Sequence, residues 1–140
     1  MALSSAKPKK RERAAYDLIK NGDISVLPTL NTALKREPIE LVQTALLVAR
    51  HAIQAKEGET ESRIASIEQL SGILNKDILA LLNGLTLEIN ESEPEIRAAA
   101  ENALKASGLK RKLSTGFETL FFGLSLGSVL LLAAVGLSIT

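Results

Sequence analysis

The chain contains no cysteine and no tryptophan, one histidine, one tyrosine and three phenylalanines. Without cysteine there are no disulfides, no thiolate metal sites and no cysteine nucleophile, and the redox compartment stays open. His51 has no second histidine or cysteine with which to share a metal ion. It reads as a surface or edge histidine. With aromatics so scarce, a soluble core has to be built from Leu, Ile, Val and Ala, the material of packed helices. No stretch alternates apolar and polar with period two, so no strand is expected. The N-terminal positive charge in MALSSAKPKKRERAAYDL is not followed by an apolar stretch of signal-peptide length, so no cleavable export signal is read there. The 17 basic residues nearly balance the 16 acidic ones, and no global field favours nucleic acid or an acidic surface.

The chain carries little that could serve catalysis. No phosphate-cradling glycine loop or nucleophile elbow is present. Glu57, Glu59 and Glu61 alternate in one polar break, and Glu91, Glu93 and Glu95 alternate in another. Acid–base catalysis needs rigidly placed carboxylates with shifted pKa values, and both runs read as solvated loop charges. Lys7-Pro8-Lys9-Lys10-Arg11 has no aromatic residue interleaved for base stacking, and reads as a solvated tail. The expectation is a protein that is not an enzyme, takes no cofactor or metal and binds no nucleic acid.

What is present is helical periodicity. Residues 1–9 read as a disordered basic leader. A helix from Lys10 to Lys20 is stopped at Asn21-Gly22-Asp23, where glycine is expected to supply the left-handed turn and Asp23 or Ser25 to cap the next helix. Leu27, Leu30 and Leu34 stripe the second helix, Val26 to Arg36. A third, opened by Glu37-Pro38, carries Leu41, Val42, Ala45, Leu46, Ala49, Ala52 and Ile53. After the break at residues 56–62 come two more helices. The first, from about Glu61, carries Ile64, Ile67, Leu70, Ile73 and Leu74; the second carries Ile78, Leu79, Leu81, Leu82, Leu85 and Leu87. A last helix is opened by Pro94 and ended at Ser107-Gly108. The halves repeat: RERAAYDL at Arg11–Leu18 lies against RIASIEQL at Arg63–Leu70, and Leu27 and Leu30 fall 52 residues before Leu79 and Leu82. Glu37-Pro38 is matched with Glu93-Pro94. The fold class expected is all-α: a HEAT-like helical-repeat solenoid over residues 10–107, about six helices in two repeats, followed by a C-terminal transmembrane helix.

That last helix is read from residues 117–140, FETLFFGLSLGSVLLLAAVGLSIT, which carry no charge and no proline from Thr119 onward. At about 1.5 Å per residue the run crosses a hydrocarbon core of roughly 30 Å. Gly123 and Gly127, four apart, with Ser128, have the spacing that brings two membrane helices into close packing. Residues 108–116 read as a basic linker, and Lys110-Arg111-Lys112 beside the span implies a cytoplasmic N-terminal domain by the positive-inside rule.

The run Leu120–Thr140 closely resembles the first membrane segment of urea ABC transporter permeases, the urea-specific branch of the branched-chain amino acid permease family. The resemblance rests on G-L-S-L-G-S at Gly123–Ser128 and A-A-x-G-L-x-I-T at Ala133–Thr140. Glu93-Pro94-Glu95-Ile96-Arg97-Ala98-Ala99 is similar to the helical-repeat region that precedes that segment. The resemblance implies the N-terminal part of such a permease in a bacterial inner membrane, crossing it once. The soluble domain would then be extracytoplasmic, opposite to the side that the basic flank implies. Implied partners are membrane lipid, the other permease subunits, and indirectly the ATPase and substrate-binding protein. One span encloses no polar pathway, so this polypeptide alone is not expected to transport. The alternative is a tail-anchored helical-repeat adaptor that binds a protein partner at the membrane.

Overall fold

The computed structural model describes residues 2–113 and 115, and over these the chain is all-helical, with no strand. Its α-helices are α1 (Pro8–Asn21), α2 (Leu27–Arg36), α3 (Glu40–Lys56), α4 (Thr60–Gln69), α5 (Lys76–Leu85) and α6 (residues 94–113). Short 3-10 turns at Ala2–Ser4 and Ile24–Val26 precede α1 and α2. Of the described residues, 2–107 form one compact unit, and those from 108 onward belong to a second. The expected span at 117–140 lies outside the described residues. Among the described residues no helix is long and apolar enough to cross a membrane.

The helix starts follow from local chemistry. Proline stands in the first turn of α1 and of α2, where no intrahelical partner exists for its missing amide. Asp23 Oδ1 accepts the Ser25 amide at 2.9 Å ahead of α2. Asn75 Oδ1 accepts the amides of Asp77 and Ile78 at 2.8 and 3.3 Å at the start of α5. These two caps stand at equivalent points of the chain, 52 residues apart.

α3 is the spine. It packs against α1, α2 and α4. Eight of its residues are buried: Val42, Ala45, Leu46, Val48, Ala49, Ala52, Ile53 and Ala55. Val42, Leu46, Ala49 and Ile53 have counterparts 54 residues on, at Ile96, Ala100, Ala103 and Ser107 of α6, and these are buried too. Ala45, Val48 and Ala52 make a second stripe, and its counterparts Ala99, Asn102 and Ala106 are half-exposed or exposed. A helix with neighbours on two sides needs two apolar stripes, and one with a single covered side needs one. The composition of α3 and α6 records that difference.

Several local expectations are corrected. The leader is not disordered throughout: Leu3 is buried against the core, and Arg11 Nη1 donates to the carbonyls of Ser5 and Ala6 at 2.7 and 3.3 Å. Pro38 does not open α3; the helix begins at Glu40 after the Ile39 cap. α4 ends at Gln69, and Gly72, at φ 76°, turns the chain before Ile73 and Leu74. Ser107-Gly108 does not end α6, which is helical to residue 113. A glycine stop needs the left-handed conformation, and among the described residues only Gly58 and Gly72 take positive φ. Ser107 is instead a packing residue, its hydroxyl donating to the Ala103 carbonyl at 3.0 Å and accepting the Gly72 amide at 3.1 Å.

Gly22 does end α1, for a different reason from the one expected. Its φ is −80°, which any residue adopts. A Cβ there would lie 2.5 Å from the Leu18 carbonyl oxygen and 2.9 Å from Ile53 Cδ1. The glycine is needed for close approach of α1 to α3. Gly22→Ala is therefore expected to cost roughly 1–3 kcal/mol, the range for overpacking a filled site, measured by urea unfolding of the full chain followed by circular dichroism. Stability equal to the parent's would contradict the close packing.

Candidate functional site

The polar chemistry of the described residues is concentrated in two Arg–Glu clasps. In the first, Arg11 on α1 donates through Nε and Nη2 to both carboxylate oxygens of Glu37, at 2.7 and 2.8 Å. Glu37 sits just ahead of α3 and is buried. Its Oε1 also accepts the Ile39 amide at 3.2 Å, and its carbonyl accepts the Gln43 amide side chain. In the second, Arg63 on α4 donates through Nη2 to Glu91, ahead of α6, and through Nε to the Ala55 carbonyl at 3.1 Å. Glu91 Oε1 accepts the Glu93 amide at 3.0 Å, and its carbonyl accepts Arg97 Nη1 at 2.9 Å. Arg63 and Glu91 are both buried.

The two sites match group by group. Arg11 and Arg63 are 52 residues apart; Glu37 and Glu91, Ile39 and Glu93, and Gln43 and Arg97 are each 54 apart. Glu91, not Glu93, is thus the counterpart of Glu37. In each clasp a carboxylate satisfies the second amide beyond it and receives a guanidinium from the first helix of its three-helix set. The helix start and the helix packed beside it are tied by one side chain.

Electrostatics follow the geometry. The Arg11 fork holds the Glu37 carboxyl below the usual carboxylate range, against the burial that would raise it, and the Ile39 amide adds to the effect. The bond to Glu37 in turn raises the Arg11 guanidinium. At Glu91 burial pushes the carboxyl upward, but the Glu93 amide, Arg63 and Arg97 together bring it below its ordinary value. Both carboxylates are ionised acceptors with their oxygens engaged, which suits them to holding structure rather than to shuttling protons. Lys56, at the end of α3, donates to the carbonyls of Ile19 at 2.7 Å and Gly22 at 3.3 Å. It thereby caps the C-terminal end of α1 with a cation. Burial lowers its pKa, partly offset by Glu57.

His51 is half-buried on α3, and its Nδ1 has no hydrogen-bond partner among the described residues. Burial, then Arg50, lowers its pKa. An open groove of about 650 Å³ runs beside the first clasp, with Arg36, Thr29, Thr32, Ser4 and Ser5 on its walls. Among the described residues no group of three potential metal ligands converges.

Of the residues singled out in the sequence, Lys110, Arg111 and Lys112 are helical and exposed. The packing residues Gly123, Gly127 and Ser128 lie outside the described residues. Glu91 was expected to be a solvated loop charge; it is 6 % exposed and paired. Nothing in its immediate sequence marks Glu37 as a partner for Arg11. The available signal was the pairing of an arginine early in one helix with a glutamate three residues ahead of another, present in both halves. Comparison with family models, curated proteins and solved structures finds no match to the chain.

The clasps make stability depend on pH in a definite direction. A carboxyl whose pKa is lower in the fold than in the open chain contributes stability above its ordinary pKa, and that contribution is lost as pH falls through the folded value. His51, whose pKa burial lowers in the fold, begins to subtract stability below about pH 6.5, where the unfolded chain takes up a proton first. Stability should therefore decline mildly below neutrality and more steeply in the carboxylate range. Arg63→Ala leaves Glu91 buried without its partner and should cost roughly 3 kcal/mol at neutral pH. That cost should shrink in acid, where Glu91 is protonated. A cost independent of pH, read by urea unfolding across the range, would contradict the clasp.

Proposed function

We propose that the chain is the N-terminal part of a urea-type ABC transporter permease: a HEAT-like two-repeat helical domain that leads into a transmembrane helix. The observation that carries this reading is the G-L-S-L-G-S run at Gly123–Ser128 with the A-A-x-G-L-x-I-T run at Ala133–Thr140, following a helical domain in the order such permeases have. The duplicated caps and clasps support a repeat architecture, because Asp23 and Asn75, Arg11 and Arg63, and Glu37 and Glu91 do the same work at matching positions. A three-helix unit with one exposed apolar stripe gains most of its stability from a stacked neighbour. The function proposed is structural: Gly123, Gly127 and Ser128 pack the span against other permease helices, and the helical domain faces a partner subunit. In this reading the chain is no enzyme, and the polypeptide alone carries no substrate.

A second reading, a tail-anchored adaptor with its helical domain in the cytoplasm, is favoured by the exposed Lys110-Arg111-Lys112 flank. Protease treatment of sealed vesicles, from each side in turn, separates the two. The permease reading predicts digestion of the helical domain from the extracytoplasmic side, with Gly127→Leu lowering co-purification with the remaining permease about five- to thirtyfold, as loss of a close helix crossing of about 1–2 kcal/mol would. Digestion from the cytoplasmic side alone supports the adaptor instead, and unchanged assembly in Gly127→Leu contradicts the packing role.

A further inference from the structure

The helical segment 108–113 carries five large side chains, and all of them are exposed. Leu109 is 60 % and Leu113 56 % exposed. Four residues apart on a helix, the two leucines stand on one face. At about 100° per residue, Lys110 and Lys112 flank that face on either side, and Arg111 lies opposite it. No carboxylate pairs with these three cations among the described residues; the nearest ion pair in sequence joins Lys105 to Glu101. Among the described residues, two exposed leucines between two lysines without a carboxylate partner are not a surface that water favours. They form a narrow apolar face with an ammonium group along each edge.

We infer that this face docks on the anionic phospholipid surface of the membrane, with Leu109 and Leu113 immersed at the headgroup boundary and Lys110 and Lys112 on lipid phosphates. The inference rests on the reading of residues 117–140 as a membrane span, which places this segment within a few residues of the interface. Charge complementarity selects the occupant. The segment has three positive charges and no negative one, and lysine stems lie along apolar surface while their ammonium groups reach the phosphate layer. A partly apolar protein groove would accept the leucines but leave the lysines without a matching edge. The geometry also ranks the cations: Lys110 and Lys112 bind, and Arg111, on the far side, contributes little.

The absence of native cysteine makes a direct test available, since Leu109→Cys carries the only thiol and takes an environment-sensitive dye. The full chain is reconstituted into vesicles of phosphatidylcholine, with or without phosphatidylglycerol. The expected result is an apolar-shifted dye in the anionic vesicles and a water-like dye in the neutral ones, with the shift weakened by salt. At about fivefold per cation, Lys110→Gln with Lys112→Gln should lower the docked-to-free ratio roughly twenty-five-fold. Arg111→Gln should leave it nearly unchanged. A water-like dye in both lipids, an equal shift in both, or an Arg111→Gln effect as large as that of the lysines overturns the inference. Alkaline carbonate extraction of the same vesicles distinguishes the failures. A chain that is retained while its dye stays in water loses only the lipid-docking inference. Release of the chain overturns the spanning reading and the inference with it.

Discussion

The structure depends on the double burial of α3. Most helices at a protein surface hide one stripe; α3 hides two, and it packs against α1, α2 and α4. Its alanines make this possible. Ala45, Ala49, Ala52 and Ala55 are fully buried, and small side chains let neighbouring helices close on both sides without leaving either stripe in water. Larger residues at these positions would force one neighbour away, since a filled core tolerates added volume poorly. Several local features bring helices to α3 at the correct height. Gly22 allows α1 to approach, Lys56 ties the end of α3 to the end of α1, and the clasps fix where α3 and α6 begin.

The clasps are better understood as registration devices than as sources of stability. A buried ion pair recovers little more than it loses on desolvation, while a broken one is costly. The pair therefore discriminates between correct and shifted packing more than it deepens the correct state. A helix displaced by one turn along its neighbour would strand a buried carboxylate without its guanidinium. Placing such a pair at the start of α3 and again at the start of α6 penalises both shifts. It also leaves the long faces of the helices free to be apolar.

The sequence showed much of this domain and concealed an instructive part. The leucine stripes of α2 and α5, the Asp23 cap and the helix opened by Pro94 are local signals, and the helices stand within a few residues of where those signals put them. Three features were not local. Glu91 lies in a run, Glu-Ser-Glu-Pro-Glu, whose carboxylates look alike in one dimension; only the approach of Arg63 decides which turns inward. Pro38 and Pro94 look equivalent, but one precedes its helix and the other begins it, so proline matching misplaced the second half by two residues. Ser107-Gly108 has the composition of a helix stop, yet Ser107 is held by Ala103 and Gly72 and the helix runs on. The residues proposed to pack the membrane segment were legible only through their spacing and the family resemblance.

Whether these six helices form one stack, with α3 as its shared wall, is tested most directly by native-state hydrogen exchange on the full chain. In a single stack the buried amides of α3, α4 and α6 as far as residue 107 should exchange with the same, highest opening free energy. The Ile39 and Glu93 amides, bonded to the clasp carboxylates, should be protected with them. If α4–α6 opened at markedly lower free energy while α1–α3 stayed protected, the halves would be separate modules, and α3 would not be the wall on which both depend.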